Sequence, residues 1–398
     1  LQDLPGVRFV EPNRRFSASS VAAPSDPLFR AQWALHSARV PGAWKTTVGG
    51  DVSVAVLDSG IDFSNGELAS NLWTNRAEIP GNGADDDGNG YVDDVNGADV
   101  VNHDGTPADG YGHGTEVASI IGARGNDGVG MSGVDWHVRL MPVKVLHDDG
   151  WGTTLTLIEG LQYALDHGAR VINMSVNGPD RSQALDEAIR AAEAQGALIV
   201  TSAGNDGQNR DRVASYPASV ASPAVLTVAS TTRSGALASD SGYGNSVDIA
   251  APGEDVLTAG LGGGYGTGSG TSFAAAYVSG AAALLASERP GASGVQLRKA
   301  LVASARRGGS VDSSISGGRL DVTAAIGKLT GQATPAARKK TSRKKARRSC
   351  AASARRSGRG AARRLSGAAR RARGKRAKAC AQRVARARRH RSAEGRGR

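Results

Sequence analysis

Val54-Ala-Val-Leu-Asp58-Ser-Gly-Ile-Asp62 begins with four consecutive apolar residues, reaches a carboxylate and then turns. A run that is apolar at every position, not at alternate ones, suits a strand covered on both faces. Short runs of the same kind recur along the chain. With Val52–Leu57 they predict strands at Val138–Val145, Val171–Met174, Leu198–Ser202, Val225–Ala229 and Val247–Ala250. Longer stretches lie between them, and these predict helices over His113–Ala123, Thr154–His167, Ser182–Gln195, Thr271–Ser287, Gly294–Ser304 and Leu320–Lys328. Buried strands alternating with helices call for an α/β domain of three layers around a mostly parallel central sheet. That domain is expected to occupy residues 24–330.

Charge divides the chain in two. Residues 331–398 hold 26 Lys and Arg against the single acid Glu394, whereas the other 330 residues hold 23 basic and 36 acidic side chains. The overall balance of +12 therefore averages an acidic body and a polycationic tail. Such a tail buries too little apolar surface to fold alone and is expected to be disordered or weakly helical. Both cysteines, Cys350 and Cys380, fall in it, so the body has neither thiolate metal ligands nor a cysteine nucleophile. No stretch reaches the roughly 18 apolar residues of a membrane span. No charged-then-apolar leader precedes the body, and a signal segment is expected to be absent or already removed.

Three segments carry chemistry at the ends of expected elements, where α/β sheets build their sites. Asp58 ends the first strand. Gly112-His113-Gly114-Thr115 sets a histidine at a helix start, and Gly268-Ser-Gly-Thr-Ser272-Phe-Ala-Ala sets a serine at another. Each has an ordinary reading alone: a turn former, a cap residue, an N-cap. Together they supply what a serine nucleophile needs, an imidazole to take its proton and a carboxylate to hold the imidazole's tautomer.

These extended segments, in the order Asp, His, Ser, resemble those of the subtilases, and Ser202-Ala-Gly-Asn205 is similar to that family's oxyanion segment. The resemblance runs from about Asp26 to Leu329 and implies a subtilisin-like fold and a secreted, monomeric serine endopeptidase acting on proteins or peptides. It implies Ser272 as nucleophile, His113 as base and then acid, Asp58 as its orienting carboxylate and Asn205 as oxyanion donor. Ser175, Val176, Asn177 and Gly178 resemble the substrate-binding strand, and Ser215 a pocket floor. The chain departs from the family at Asn177, where a glycine is usual, and at Ala276-Tyr277, where Pro-His is usual. A rival reading follows from the second departure: a silent domain serving a polyanion-binding tail. The complete triad and Asn205 oppose it.

Asn82-Gly-Ala-Asp85-Asp86-Asp87-Gly88-Asn89-Gly90-Tyr91-Val92-Asp93-Asp94 spaces oxygen side chains as an EF-type loop does. Asp85, Asp87, Asn89 and Asp93 are thus expected to hold a structural Ca2+, without the flanking helices of an EF-hand. A second calcium site, at Gln32, Glu67 and Asp127, is implied by the resemblance only. The resemblance also makes residues 1–23 a remnant of an inhibitory propeptide with its processing linker. The tail's charge would serve an anionic cell-wall polymer, a lipid surface or a nucleic acid equally; no aromatic residue follows Tyr277, so base stacking finds no support.

Overall fold

In a computed structural model that describes residues 23–331, seven strands form one sheet: β1 Ser53–Asp58, β2 Ala98–Asp99, β3 Arg139–Lys144, β4 Val171–Met174, β5 Leu198–Ser202, β6 Val225–Thr231 and β7 Ile249–Pro252. Their spatial order is β2-β3-β1-β4-β5-β6-β7, and every pairing is parallel. Two further strands, β8 Val256–Ala259 and β9 Tyr265–Gly268, make a separate antiparallel hairpin. The helices are α1 Trp33–Ser37, α2 Val40–Ala43, α3 His113–Gly122, α4 Thr154–Asp166, α5 Gln183–Ala194, α6 Thr271–Glu288, α7 Gly294–Ser304 and α8 Val322–Leu329.

The all-apolar strands are explained by two cores, one on each face of the sheet. Side chains alternate across a strand. In β1, Val54 and Val56 therefore join the core under α3, α6, α7 and α8, while Ala55 and Leu57 join the core under α4 and α5. α6 is apolar on every side because it is enclosed; all its residues from Thr271 to Ala286 are buried. Ala276 and Tyr277 lie inside this continuous helix, and Tyr277 is fully buried. The departure from Pro-His thus leaves the helix whole.

The sequence-based boundaries shift where capping decides them. Ser182 stands outside α5 and accepts a hydrogen bond from the Leu185 amide, and Asp321 caps α8 by accepting from the Ala324 amide. The last sheet strand runs on past Ala250 to Pro252 because it is an edge strand, where a missing N–H is tolerated. The expected propeptide remnant over residues 1–22 and the basic tail over residues 332–398, with Cys350 and Cys380, lie outside the described residues.

Candidate active site

Because β1, β4 and β5 are parallel neighbours, their carboxyl ends lie side by side, about 4.8 Å apart per step. Asp58 ends β1, Ser175 follows β4 and Asn205 follows β5. The N-termini of α3 and α6 bring His113 and Ser272 to the same edge. His113 Nδ1 lies 2.7 Å from Asp58 Oδ1, across 55 residues of sequence. Asp58 is fully buried and accepts a second bond at Oδ1 from the Ser59 amide at 2.8 Å. An ionised carboxylate only accepts, so the Nδ1 nitrogen carries the proton and Nε2 is left as the basic atom.

Burial pulls the imidazole pKa down. The Asp58 charge and hydrogen bond, helped by Glu116 and Asp109, outweigh it and leave His113 above the ordinary value. Glu116 sits on the next turn of α3, and burial raises its own pKa in turn.

Ser272 is 6% exposed, and its neighbour Phe273 packs its ring 5.8 Å from the His113 ring. Ser272 Oγ donates to the Ser175 carbonyl at 3.3 Å, and Ser175 Oγ donates back to the Ser272 carbonyl at 3.2 Å. A buried polar string continues behind this pair. Asn173 Nδ2 donates to Ser175 Oγ at 2.8 Å, and Ser279 Oγ, two turns along α6, donates to Asn173 Oδ1 at 2.8 Å. The first turn of α6 is thereby fixed to the end of β4.

Asn205 is oriented by the residue before the serine. Its Oδ1 accepts from both the amide and the hydroxyl of Thr271, each at 2.8 Å. With the oxygen end engaged, the NH2 end is the one turned toward Gly270 and the start of α6. A Cβ at Gly270 would lie 3.1 Å from Asn205 Nδ2, and Gly270 has φ +150°, so glycine serves both the backbone and the amide.

A cleft of about 610 Å³ is lined by His113, Ser175, Val176, Asn177, Gly178 and Tyr216, with Tyr111 and Trp151 on its rim. Gly178 and Tyr216 exchange two backbone hydrogen bonds of 2.8 Å. The Asn177 carboxamide is engaged at both ends. It donates to Ser202 Oγ at 2.7 Å and accepts from Ser215 Oγ at 3.1 Å, so it braces the cleft wall instead of hanging free.

The acidic loop is arranged differently from its spacing. Asp85 accepts from the amides of Gly88, Asn89 and Gly90, and Asp93 from those of Gly81, Asn82 and Gly83. The Gly90 amide, joined by those of Gly88 and Asn89, holds Asp85 below the usual carboxylate range. These two side chains organise the loop's own backbone. Asp87 instead gathers with Glu78 and Asp94, one oxygen of each lying within 4.8 Å of the others. Glu78 Oε1 accepts from the Asp86 and Asp87 amides, but the buried Oε2 has no hydrogen-bond partner. Asn89 contributes by donating to Asp94 Oδ2 at 2.9 Å. Asp94 also accepts from Asn75 Nδ2 at Oδ1 and from the Tyr163 hydroxyl at Oδ2, and Asp87 Oδ2 accepts from Asn75 Nδ2, so the unpartnered Glu78 Oε2 is the oxygen of this acidic cluster open to a hard, oxygen-seeking cation.

The residues of the second expected calcium site are engaged within the protein. Gln32 exchanges two bonds with the Ser132 backbone, and Asp127 accepts from the Val129 amide. Glu67 is held by the Tyr265 hydroxyl and, at 3.4 Å, by the Met131 amide. Burial raises the Glu67 pKa, with Asp127 and Asp26 adding to the rise against the Tyr265 bond. Gly130 leaves no room beside this pair, since a Cβ there would lie 2.0 Å from Glu67 Oε1. The Tyr265 phenol thus ties β9 to Glu67.

Sequence comparison decides the family. The signature of the Subtilase family matches residues 49–342. The chain belongs to the subtilases. Thermitase from Thermoactinomyces vulgaris is 32% identical over 274 residues, covering 69% of this chain and 88% of its own. The minor extracellular protease Epr of Bacillus subtilis is 32% identical over 308 residues, 75% of this chain and 43% of Epr. A solved protease from Pseudoalteromonas arctica superposes with a TM-score of 0.66 at 28% identity, covering 77% of this chain and all of that one. This subtilase is accordingly a serine-type endopeptidase acting on protein or peptide substrates, with the subtilisin-like α/β fold. No helix among its described residues is long and apolar enough to cross a membrane.

Proposed function

We propose that this subtilase cleaves peptide bonds through an acyl-enzyme formed on Ser272. The observation that carries the reading is the 2.7 Å contact between His113 and Asp58, made where the serine and Asn205 also arrive. Rotation about the Ser272 Cα–Cβ bond redirects its hydrogen from the Ser175 carbonyl to His113 Nε2. Hydrogen bonds of a resting site commonly tighten only with substrate bound. Ser272 then attacks the scissile carbonyl, His113 takes the proton and Asp58 stabilises the imidazolium. Asn205 Nδ2 donates to the oxygen on which charge develops, joined by the Ser272 amide at the start of α6. His113 returns the proton to the leaving amine, and water repeats the sequence to release the acyl group. An extended substrate lies along Ser175–Gly178, with main-chain bonds giving affinity and the pocket near Asn177 and Ser215 giving selection.

Calcium belongs at Glu78, Asp87 and Asp94, where it would neutralise carboxylates and fix the loop; it takes no part in the chemistry. Residues 24–330 are the catalytic unit, residues 1–23 a remnant removed on maturation, and residues 331–398 a charged appendage. The extracellular name of the Epr relative supports action outside the cell. A serine-directed fluorophosphonate tests the core of this reading. It should label Ser272 and abolish hydrolysis, while thiol reagents leave activity intact; full activity in Ser272→Ala would overturn it.

A further inference from the structure

We infer that Arg210 is the positioning residue that sets the oxyanion donor; the inference rests on the reading of Asn205 given above. Arg210 lies outside every segment that the sequence singles out. Its side chain is only 3% exposed, and its guanidinium grips the turn on both sides of Asn205. Nε donates to the Ala203 carbonyl at 2.6 Å, and Nη2 pairs with the Asp206 carboxylate. Nη1 reaches the Val213 carbonyl at 3.3 Å, which ties the turn to the segment leading to Ser215.

The backbone between those two grips is shaped to receive the guanidinium. Gly204 has φ +95°, and a Cβ on it would lie 2.4 Å from Arg210 Nη2. On its other side the same Cβ would meet Asn177 Oδ1 at 3.4 Å, so the glycine is packed between the arginine and the cleft wall. A Cβ at Gly242 would approach Arg210 Nε at 2.8 Å, and Gly242 donates its amide to the Gly204 carbonyl at 2.7 Å.

Thr271 fixes the Asn205 carboxamide from the α6 side; Arg210 fixes its backbone from the β5 side. Neither hold replaces the other. The oxygen end of the amide can stay on Thr271 while a loosened turn swings the NH2 end away. A buried cation whose direct carboxylate partner is 52% exposed carries a desolvation cost, so its net value to stability is small. What Arg210 supplies is a planar fork that binds several fixed acceptors at once, which lysine cannot reproduce.

The test is a double-mutant cycle on the full chain, with kcat and KM measured on a chromogenic peptide anilide. Arg210→Lys should lower kcat about ten- to a hundredfold, the loss expected from a donor displaced by about 1 Å, with KM nearly unchanged. In an Asn205→Ala background the same substitution should change kcat by less than about twofold, because the group it positions is gone. Equal losses in both backgrounds would overturn the proposal and leave Arg210 a stabilising staple. If Asn205→Ala alone leaves kcat intact, the oxyanion reading fails first, and the two failures are thereby told apart. Should Arg210→Lys not fold, Asp206→Asn goes through the same cycle. It removes only the exposed partner, so a smaller loss is expected that again vanishes with Asn205→Ala; a loss that persists there overturns the proposal equally.

Discussion

At His113 burial and the Asp58 charge pull in opposite directions, and the charge prevails. A general base must be neutral to accept a proton, so raising its pKa moves the onset of activity to higher pH. The acid limb of kcat/KM should therefore lie above the ordinary histidine value of 6.5. Glu116→Gln removes one contributing charge without touching the substrate, and should shift that limb toward acid with little loss of turnover at its plateau. Asp58→Asn should shift it further and also cost roughly 10⁴-fold in kcat, as the same change does in a serine protease of another fold. A wild-type limb at or below 6.5, measured as a pH profile, would refute this account of the triad's electrostatics. Asp58, His113 and Ser272 were legible as candidates because each sits in an extended segment at an element's end. The orientation of Asn205 was not, since it depends on Thr271, which looks like an ordinary first helical residue until the turn after β5 is laid against it.

Strand and helix positions were readable where an apolar run is long enough to show its period. β4, β5 and α7 coincide with the runs read from the sequence, whereas β2 is too short to show a pattern and β9 is rich in glycine. In the acidic loop, spacing leaves two uses of the same side chains open. Oxygen side chains at Asp85, Asp87, Asn89 and Asp93 are compatible with cation ligands and equally with backbone caps. Glu78 joins Asp87 and Asp94 only in the fold, since it precedes the acidic segment. The distinction yields a prediction on the inactive Ser272→Ala protein, in which self-digestion cannot blur a melting curve. Calcium at a hundredfold excess over its dissociation constant should stabilise the fold by roughly 2.7 kcal/mol, a rise of several degrees that a chelator reverses. Glu78→Gln should abolish most of the calcium-dependent rise. Asp85→Asn should instead lower the melting temperature with calcium and with chelator alike, because it loosens backbone amides in both states. A Glu78→Gln protein with an undiminished calcium response would remove Glu78 from the ligand set.

On the scale of the whole chain, the charge division marks where the fold can be cut. α8 packs Val322, Ala325, Ile326 and Leu329 into the core, and Arg289 Nη1 donates to the Leu329 carbonyl at 3.0 Å. Thr330 closes the helix with its amide on the Ile326 carbonyl. The folded unit therefore needs its residues through Thr330, and the cationic segment begins just beyond it. Deleting residues 332–398 should leave kcat/KM on a small peptide and the melting temperature within error of the full chain. Deleting from Val322 should not, since it strips Ala325 and the buried Val322, Ile326 and Leu329, the last three each worth about 1.5–3 kcal/mol on burial. The same short deletion should abolish retention on an anionic matrix, because the 26 tail cations outnumber its one acid while the rest of the chain is net acidic. Retention of the full chain should fall steeply with salt, as counterion release requires. If the protein lacking residues 332–398 binds the matrix as well as the full chain does, the charge asymmetry is not what holds it there. If that protein fails to fold, the boundary at Thr330 is wrong.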